Sequence, residues 1–215
     1  ILSLPVLFNY KSDVVKIEKS FYKNFKFYLN TSGKISYKPF PRPHLLLENA
    51  FLDLSKNGKN NSFIKTSNLK IFISLRDIYL RSFENFISTE IIETNLEFKL
   101  LDIINLRDHL YKKINKPIYL VNCKIFIRNK NDDAILISPI DKVSYKINNK
   151  TKNKNLLIIG EAFGIKFKSD WERNYKTPNQ SNHFLNLYNP NITIRNIIQF
   201  ENSKNFKGYS YIDYA

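Results

Sequence analysis

The chain has 215 residues, of which 43% are hydrophobic and 14% aromatic, so it can bury a sizeable core and is not a disordered polypeptide. Its formal net charge is +15. This charge indicates either a protein that is attracted to a polyanion, such as nucleic acid or an anionic membrane surface, or lysines that are solvated in turns. The single cysteine, Cys123, excludes an internal disulfide and any metal site built from several cysteines.

The N-terminal stretch from Ile1 to Phe8 is apolar but far shorter than the roughly 20 residues that a membrane-spanning helix needs. We interpret residues 1–10 either as the end of a membrane anchor or as an extended segment docked on a surface. Because the chain begins with Ile1 and ends in the strand-like GYSYIDYA, we expect a fragment that continues beyond residue 215.

An amphipathic helix is predicted from Asp13 to Phe25, with Ser12 as its N-cap, because apolar residues recur there at helical spacing. We expect its apolar side to cover one end of a sheet. The alternative is a helix that lies on a membrane surface.

The next segment is organised around three prolines at alternate positions, Pro39, Pro41 and Pro43. They predict a stiff extended corner, since proline fixes its own φ and disfavours helix at the preceding residue. Before the corner, residues 27–29 and 34–37 flank a turn and predict a hairpin. After it, Leu45 and Leu47 share one face of a strand, and if residues 48–49 form a bulge, residues 50, 52 and 54 continue that face.

Strand patterns dominate the rest of the chain. A short helical turn is predicted from Ser74 to Leu80, and a second helix from Asp102 to Lys116, ended by Pro117. The further predicted strands are 69–73, 86–92, 96–100, 119–127, 134–137, 143–147, 156–167, 184–187, 192–200 and 206–214. Helices do not alternate regularly with these strands. The sequence therefore predicts a mainly β protein, a long antiparallel sheet with one continuous apolar face.

Residues that could carry catalysis or bind a metal are not grouped in the sequence. His44, His109 and His183 lie far apart and are interpreted as surface or turn residues. Cys123 falls in an apolar alternation and is predicted to be a buried small residue. Trp171 is placed at a sheet edge or turn. We therefore expect a protein that is not an enzyme and that needs no cofactor or metal.

The order of these features resembles the AsmA family of bacterial envelope proteins. The resemblance is carried by the helix from Asp13, then GKISY from Gly33, FPRP from Phe40, and LKIFISL from Leu69, with Ser74 to Ile78 similar to the family's short SLxxL-like turn. It covers about the first hundred residues, and a weaker similarity follows at GEAFGI from Gly160. The family's membrane anchor is missing or cut short here, and its long C-terminal part is absent.

The resemblance implies a twisted sheet curved into a U-shaped groove, with residues 11–215 forming this β-groove domain. It also implies a periplasmic protein, anchored in the bacterial inner membrane, that moves phospholipids between the inner and outer membranes and contributes to outer-membrane biogenesis. A lipid chain of about sixteen carbons needs on the order of 13 kcal/mol to leave the bilayer, at about 0.8 kcal/mol per CH₂, so the groove must be lined continuously with apolar groups. The predicted lining residues are Leu45, Leu47, Leu69, Ile71, Ile73, Val121, Ile125, Val143, Tyr145 and Ile147.

Two other functions stay open at this point. The apolar face belongs either to a lipid groove or to the ordinary core of a β-sandwich scaffold of the cell envelope that carries no lipid. A basic nucleic-acid-binding module is the third hypothesis. It requires aromatic residues interleaved with Lys and Arg on an exposed face, whereas Phe163 and Phe167 fall in an apolar register. We therefore expect no nucleic-acid partner.

Overall fold

The computed structural model describes residues 4–54, 63–99, 106, 109–111, 113–129, 131–148, 150–177, 179–200 and 206–214. Within them the protein is mainly β, as predicted, with thirteen strands in one sheet. Two short 3₁₀ turns, Leu4–Leu7 and Tyr10–Asp13, precede helix α1 (Val14–Phe25), and a short helix α2 (Leu75–Tyr79) follows later. The strands are β1 Tyr28–Thr31, β2 Ile35–Lys38, β3 His44–Asp53, β4 Phe63–Ile73, β5 Phe86–Ile92, β6 Asn95–Lys99, β7 Ile118–Arg128, β8 Ala134–Ile147, β9 Lys154–Ala162, β10 Ile165–Arg173, β11 Gln180–Tyr188, β12 Asn191–Phe200 and β13 Phe206–Tyr214.

The strand order is β1–β3–β4–β5–β7 and then β8 to β13 in sequence. From β7 onward every neighbouring pair is antiparallel, as predicted for a meander. The prediction of a purely antiparallel sheet is wrong at one place, because β5 and β6 both pair with β7 in parallel. A parallel return needs a crossover of a dozen or more residues, and the segment between Lys99 and Ile118 supplies it.

This crossover contains the second predicted helix. Its described residues Leu106, His109, Leu110, Tyr111 and Lys113 are helical, and we call them the crossover helix. Residues 102–105, 107, 108 and 112 of the predicted helix lie outside the described residues. The short helical turn predicted before β5 is α2, whose Ser74 side chain accepts a hydrogen bond from the backbone N–H of Asp77 at 3.1 Å.

Helix α1 covers the first strands of the sheet, as predicted. Ile17, Phe21 and Phe25 on its apolar side are fully buried in the hydrophobic core. Ser12 is not the N-cap. The cap position belongs to Asp13, whose buried carboxylate accepts hydrogen bonds from the guanidinium of Arg81. This ion pair joins the start of α1 to Arg81, two residues after the end of α2.

The predicted hairpin between residues 27 and 37 is wrong. Strands β1 and β2 each pair with β3, β2 with its first half and β1 with its second half. The chain between them passes so close to β3 that a Cβ on Gly33 would lie 1.9 Å from the carbonyl oxygen of Glu48. Strand β3 is long enough to pair with both β1 and β2, so it offers these short strands more ladder hydrogen bonds than a hairpin between them would.

The bulge predicted at residues 48–49 is wrong, because the register there has no extra residue, but the predicted continuation of the buried face is confirmed. Asn49 has φ of 53°, and burial passes from Leu45 and Leu47 to Ala50 and Leu52. The register of β3 with β4 continues without a shift, since β4 changes parity at the same level. There the Thr66 hydroxyl accepts a hydrogen bond from the backbone N–H of Asn68 at 3.2 Å.

The strand predicted over residues 156–167 is two strands. Phe163 and Gly164, with φ of 53° and 76°, form a two-residue turn between β9 and β10. Phe163 is 80% exposed at this turn and is not part of the apolar face. Conversely, the two short strands predicted at 134–137 and 143–147 are one strand, β8.

Candidate functional site

One face of the sheet carries an apolar row that crosses eleven strands. Each member is the direct cross-strand partner of the next, and Ser169 is its one polar member: Ile35, Leu47, Leu69, Ile91, Leu120, Val143, Ile158, Ser169, Leu185, Ile194 and Ile212. Directly paired side chains lie on the same side of a sheet. We call this side the cavity face. The register thus supports the predicted continuous apolar face.

The cavity face bounds a cavity of about 340 Å³. It extends from α1 and β3 across the sheet to β10, and among the described residues that line it only Thr89 and Ser138 carry a polar side-chain group. This volume lies within the range of roughly 300–1,000 Å³ that is common for small-ligand sites. The central strands contribute Leu120, Val143 and Ile158 to its lining.

Paired parity switches keep β7 and β8 apolar on this face. Asn122 in β7 has φ of 54°, so that Ile118 and Leu120 before it and Ile125 after it all line the cavity. Val121 pairs with Lys142 on the opposite face, which corrects the alternation predicted from 119 to 127. Strand β8 changes parity at the same level, where its register with β9 shifts between Ile140 and Lys142.

The crossover helix forms a wall of the cavity through Leu106 and Leu110. The Tyr145 hydroxyl fastens it to the sheet, at 2.8 Å from the carbonyl oxygen of Leu110 and 3.1 Å from that of Ile114. Lys154 Nζ donates to the carbonyl oxygens of Tyr111 and Ile114 at 2.6 and 3.0 Å. Burial raises the pKa of Tyr145 well above its usual value, so the hydroxyl remains a proton donor.

Nine of the ten predicted lining residues lie on the cavity face, but only Ile125 and Val143 line the cavity itself. Leu45, Leu47, Leu69, Ile71 and Ile73 are at most 1% exposed and belong to the core cluster that contains Phe21 and Phe25 of α1. Tyr145 lies under the crossover helix, and Ile147 packs at the edge of the core. The N-terminal third of the predicted groove is therefore filled by the protein's own helices.

Beyond the cavity the same face is less covered. Phe167, Leu187 and Ile192 continue it as successive cross-strand partners, and only Phe167 of these lines the cavity. At the far edge Ile212 and Tyr214 are 68% and 78% exposed. The apolar face thus passes from a closed core, through the cavity, to an exposed surface.

A polar row adjoins the apolar one on β10 to β13. Trp171, His183, Asn196 and Ser210 are successive cross-strand partners on the cavity face. The Trp171 and His183 rings stack with centroids 3.9 Å apart and planes 20° apart. Sequence reasoning missed this row and placed Trp171 at an edge or turn, whereas it lies within β10 and pairs on both sides.

The histidines and the cysteine are more buried than a surface interpretation allows. His44 and His109 are 3% and 8% exposed, so their prediction as surface or turn residues is wrong. Burial lowers the pKa of each, as it does that of His183. Cys123 is buried as predicted, and burial raises the pKa of its thiol. Within the described residues, no three His, Cys, Asp or Glu side chains are grouped so as to hold a metal ion.

Among the helices that the structure describes, none has the length and apolar character to cross a membrane. In the first 3₁₀ turn, Leu4–Leu7, the side chains of Leu4, Val6 and Leu7 are 53%, 52% and 82% exposed. The N-terminal end of the fold therefore presents apolar side chains to its surroundings.

No model of a protein family matches the chain. The chain is similar to the DNA-directed RNA polymerase subunit alpha of Euglena longa, with 31% identity over 149 residues. The similarity covers 66% of this chain and 59% of that protein, less than two thirds of the relative's length.

Proposed function

We propose that the protein is an AsmA-like lipid carrier that holds the apolar part of a phospholipid in the cavity, as a step in its movement between the bacterial inner and outer membranes. The cavity carries this proposal, because its described lining is apolar except for Thr89 and Ser138. Such a lining offers an acyl chain an environment close to that of the bilayer it leaves. The proposal is binding and transport, not catalysis.

The location implied by the resemblance belongs to the same proposal. A periplasmic protein that is held at the inner membrane by its N-terminal end would receive lipid directly from that membrane. The exposed Leu4, Val6 and Leu7 support membrane contact at this end, since exposed apolar groups gain free energy by entering the interface. A contribution to outer-membrane biogenesis would follow from the delivery of this lipid.

The test is lipid binding by a pair of variants in β9. Ile158 lines the cavity, whereas its neighbour Ile159 pairs with Lys142 and Lys168 on the opposite face. Ile158→Trp fills the cavity with an indole, and Ile159→Trp adds the same bulk elsewhere. Native mass spectrometry after incubation with dioleoyl phosphatidylglycerol vesicles measures the bound lipid.

We expect the unsubstituted protein to retain lipid, Ile158→Trp to lose most of it, and Ile159→Trp to behave as the unsubstituted protein. Circular dichroism and urea unfolding check that both variants are folded. Absence of bound lipid from the unsubstituted protein, or equal loss in both folded variants, would contradict the proposal.

A scaffold domain of the cell envelope without lipid transport is the alternative function. A β-sandwich has two packed sheets, whereas the thirteen strands that the structure describes are all hydrogen-bonded into one sheet. A scaffold function would therefore be performed by this single sheet. It predicts that the cavity of the purified protein holds no lipid.

The similarity to the polymerase subunit favours a second candidate, a subunit of a DNA-directed RNA polymerase. The net charge of +15 is compatible with a site near nucleic acid. Co-purification with polymerase subunits, or DNA binding that weakens steeply with salt, would support this candidate over the lipid carrier.

A further inference from the structure

The two polar side chains in the cavity wall direct their hydroxyl groups at the backbone of the sheet. Thr89 Oγ1 donates a hydrogen bond to the carbonyl oxygen of Lys70 at 3.0 Å, and Ser138 Oγ donates to that of Glu161 at 2.6 Å. A carbonyl oxygen can only accept, so the proton of each hydroxyl is already used within the protein. Among the described residues of the wall, no side chain therefore has a proton to donate to a ligand.

The oxygen atoms of the same two hydroxyls are largely out of a ligand's reach. Thr89 is 1% exposed and Ser138 is 5% exposed. The other described residues of the wall are Ala, Val, Leu, Ile and Phe, whose side chains neither donate nor accept hydrogen bonds. A water molecule needs about two to four polar partners, so this wall offers no position for a water that could bridge to a ligand. A hydroxyl on a bound chain would therefore lose its hydrogen bonds to water and gain none.

The wall is long enough for the middle of an acyl chain to lie against it. Ile118 and Ile127 both line the cavity and lie nine residues apart on β7. At about 3.3 Å per residue, this part of the wall is roughly 30 Å long. The hydrocarbon core of a bilayer is also about 30 Å thick and contains two opposed acyl chains, so one chain is shorter than the wall. The described lining carries no charged side chain, so a charged head group remains outside the cavity.

We propose that the cavity selects an unsubstituted hydrocarbon chain and excludes an acyl chain that carries a hydroxyl group in its middle part. This inference rests on the proposed function, since it requires that the cavity holds a lipid chain. It adds the class of chain that the site accepts. Thr89 and Ser138 contribute to this selection because their hydroxyls are bound to Lys70 and Glu161 and not to the ligand. The unsubstituted acyl chain is common to free fatty acids and glycerolipids.

The test compares three fatty acids of the same chain length and double bond in binding to the full chain. Oleic acid has no hydroxyl group, ricinoleic acid carries one in the middle of its chain, and 2-hydroxyoleic acid carries one beside its carboxyl group. The two hydroxy acids are isomers, so their comparison removes the general effect of a hydroxyl on solubility. Each is titrated separately against the protein loaded with oleic acid, and native mass spectrometry measures the oleic acid that remains bound.

The position of the hydroxyl group is expected to decide the result. In 2-hydroxyoleic acid the hydroxyl remains outside with the carboxylate, so this acid is expected to bind about as tightly as oleic acid. In ricinoleic acid the hydroxyl enters the cavity and finds no partner. The cost of burying an unpaired hydroxyl corresponds to an affinity for ricinoleic acid that is about fivefold to a hundredfold weaker.

Two valine variants give a matched comparison. Val143 lines the cavity and is only partly buried, so Val143→Thr presents a hydroxyl oxygen to the bound chain at almost the same side-chain size. Val121 is also partly buried, but it pairs with Lys142 on the opposite face. Val143→Thr is expected to reduce the discrimination against ricinoleic acid by about threefold or more, since one hydrogen bond is regained. Val121→Thr is expected to keep the discrimination of the unsubstituted protein.

Equal binding of ricinoleic and 2-hydroxyoleic acid by the unsubstituted protein would overturn the selectivity and leave the lipid-carrier proposal in place. Discrimination that is unchanged in folded Val143→Thr would also overturn it. Phosphatidylglycerols with oleoyl or ricinoleoyl chains repeat the comparison, and the lipid class that binds and shows the preference identifies the source of the chain. If neither fatty acids nor phosphatidylglycerols bind, the proposed function fails and the selectivity with it.

Discussion

The Tyr145 hydroxyl fastens the crossover helix to the sheet, and the variant Tyr145→Phe removes that hydroxyl alone. The side chain is 1% exposed, and its oxygen lies 2.8 Å from the carbonyl oxygen of Leu110. The ring keeps its edge-on contact with Tyr111, at 6.3 Å between centroids and 79° between planes. The expected effect is therefore that of a lost hydrogen bond without a cavity in the core.

The magnitude follows from what each carbonyl keeps. In the variant the carbonyl oxygen of Ile114 still accepts a hydrogen bond from Lys154 Nζ at 3.0 Å. The carbonyl oxygen of Leu110, in contrast, loses the hydrogen bond from the Tyr145 hydroxyl. A buried hydrogen bond contributes about 0.5–1.5 kcal/mol, and a buried group that is left without its partner costs about 1–3 kcal/mol. We expect Tyr145→Phe to lower the free energy of unfolding by about 1–2 kcal/mol.

Urea unfolding measures this change, with the slope against urea expected to remain the same because the surface exposed on unfolding does not change. Hydrogen exchange of residues 109–114 is expected to quicken more than that of β7 and β8, since the helix loses its attachment. Tyr119→Phe is the control, because Tyr119 pairs with Ser144 on the opposite face. A change below about 0.5 kcal/mol for Tyr145→Phe, or an equal change for both variants, would refute the reasoning.

Two further predictions concern stability. Burial lowers the pKa of His44, His109 and His183 below the usual 6.5, so as pH falls the unfolded chain binds protons first. The free energy of unfolding is expected to decrease from pH 6.5 downward through the lowered pKa values, and urea midpoints at pH 7.5 and 5.5 measure this; a midpoint that stays constant or rises would contradict it. Gly33→Ala places a Cβ against the backbone of Glu48 and is expected to cost about 1–3 kcal/mol, while the exposed neighbour Ser32→Ala serves as a control expected to be neutral in the same assay.

The features that local chemistry determines could be predicted from the sequence. Helix α1, the proline corner and the parity switch at Asn49 each depend on residues within a few positions of one another. The apolar face was also predictable in kind, because alternation in each strand reports which side is apolar. What alternation does not report is which part of that side is covered.

The errors arise where the deciding contact is distant in sequence. The switch at Asn122 looks like ordinary alternation, since apolar residues occupy both parities around it. The Phe163–Gly164 turn lacks the Asn-Gly or Asp-Gly pattern that marks a two-residue hairpin, so the segment reads as one strand. The hairpin predicted before the proline corner fails because β3 is a better partner for both short strands.

The polar row could not be found by reading motifs. Trp171 and Ser210, the two ends of the row, lie 39 positions apart in the sequence. They meet because four consecutive antiparallel strands hold a fixed register, so that one residue of each strand falls on one line. A register error of one residue in any strand would place that side chain on the opposite face.

One row of apolar residues therefore has two different environments along its length. Leu47 and Leu69 are fully buried in the core cluster that also contains Phe21 and Phe25 of α1, whereas Ile212 at the other end is 68% exposed. These side chains are chemically alike, so their different exposure is due to the elements that pack on them and not to the residues themselves. Helical cover is supplied by α1, α2 and the crossover helix, and after β8 the described residues are strands and turns. Apolar surface that stays exposed to water on these last strands costs roughly 25 cal/mol per Å². A lipid chain that extends out of the cavity over this surface would gain that free energy by covering it.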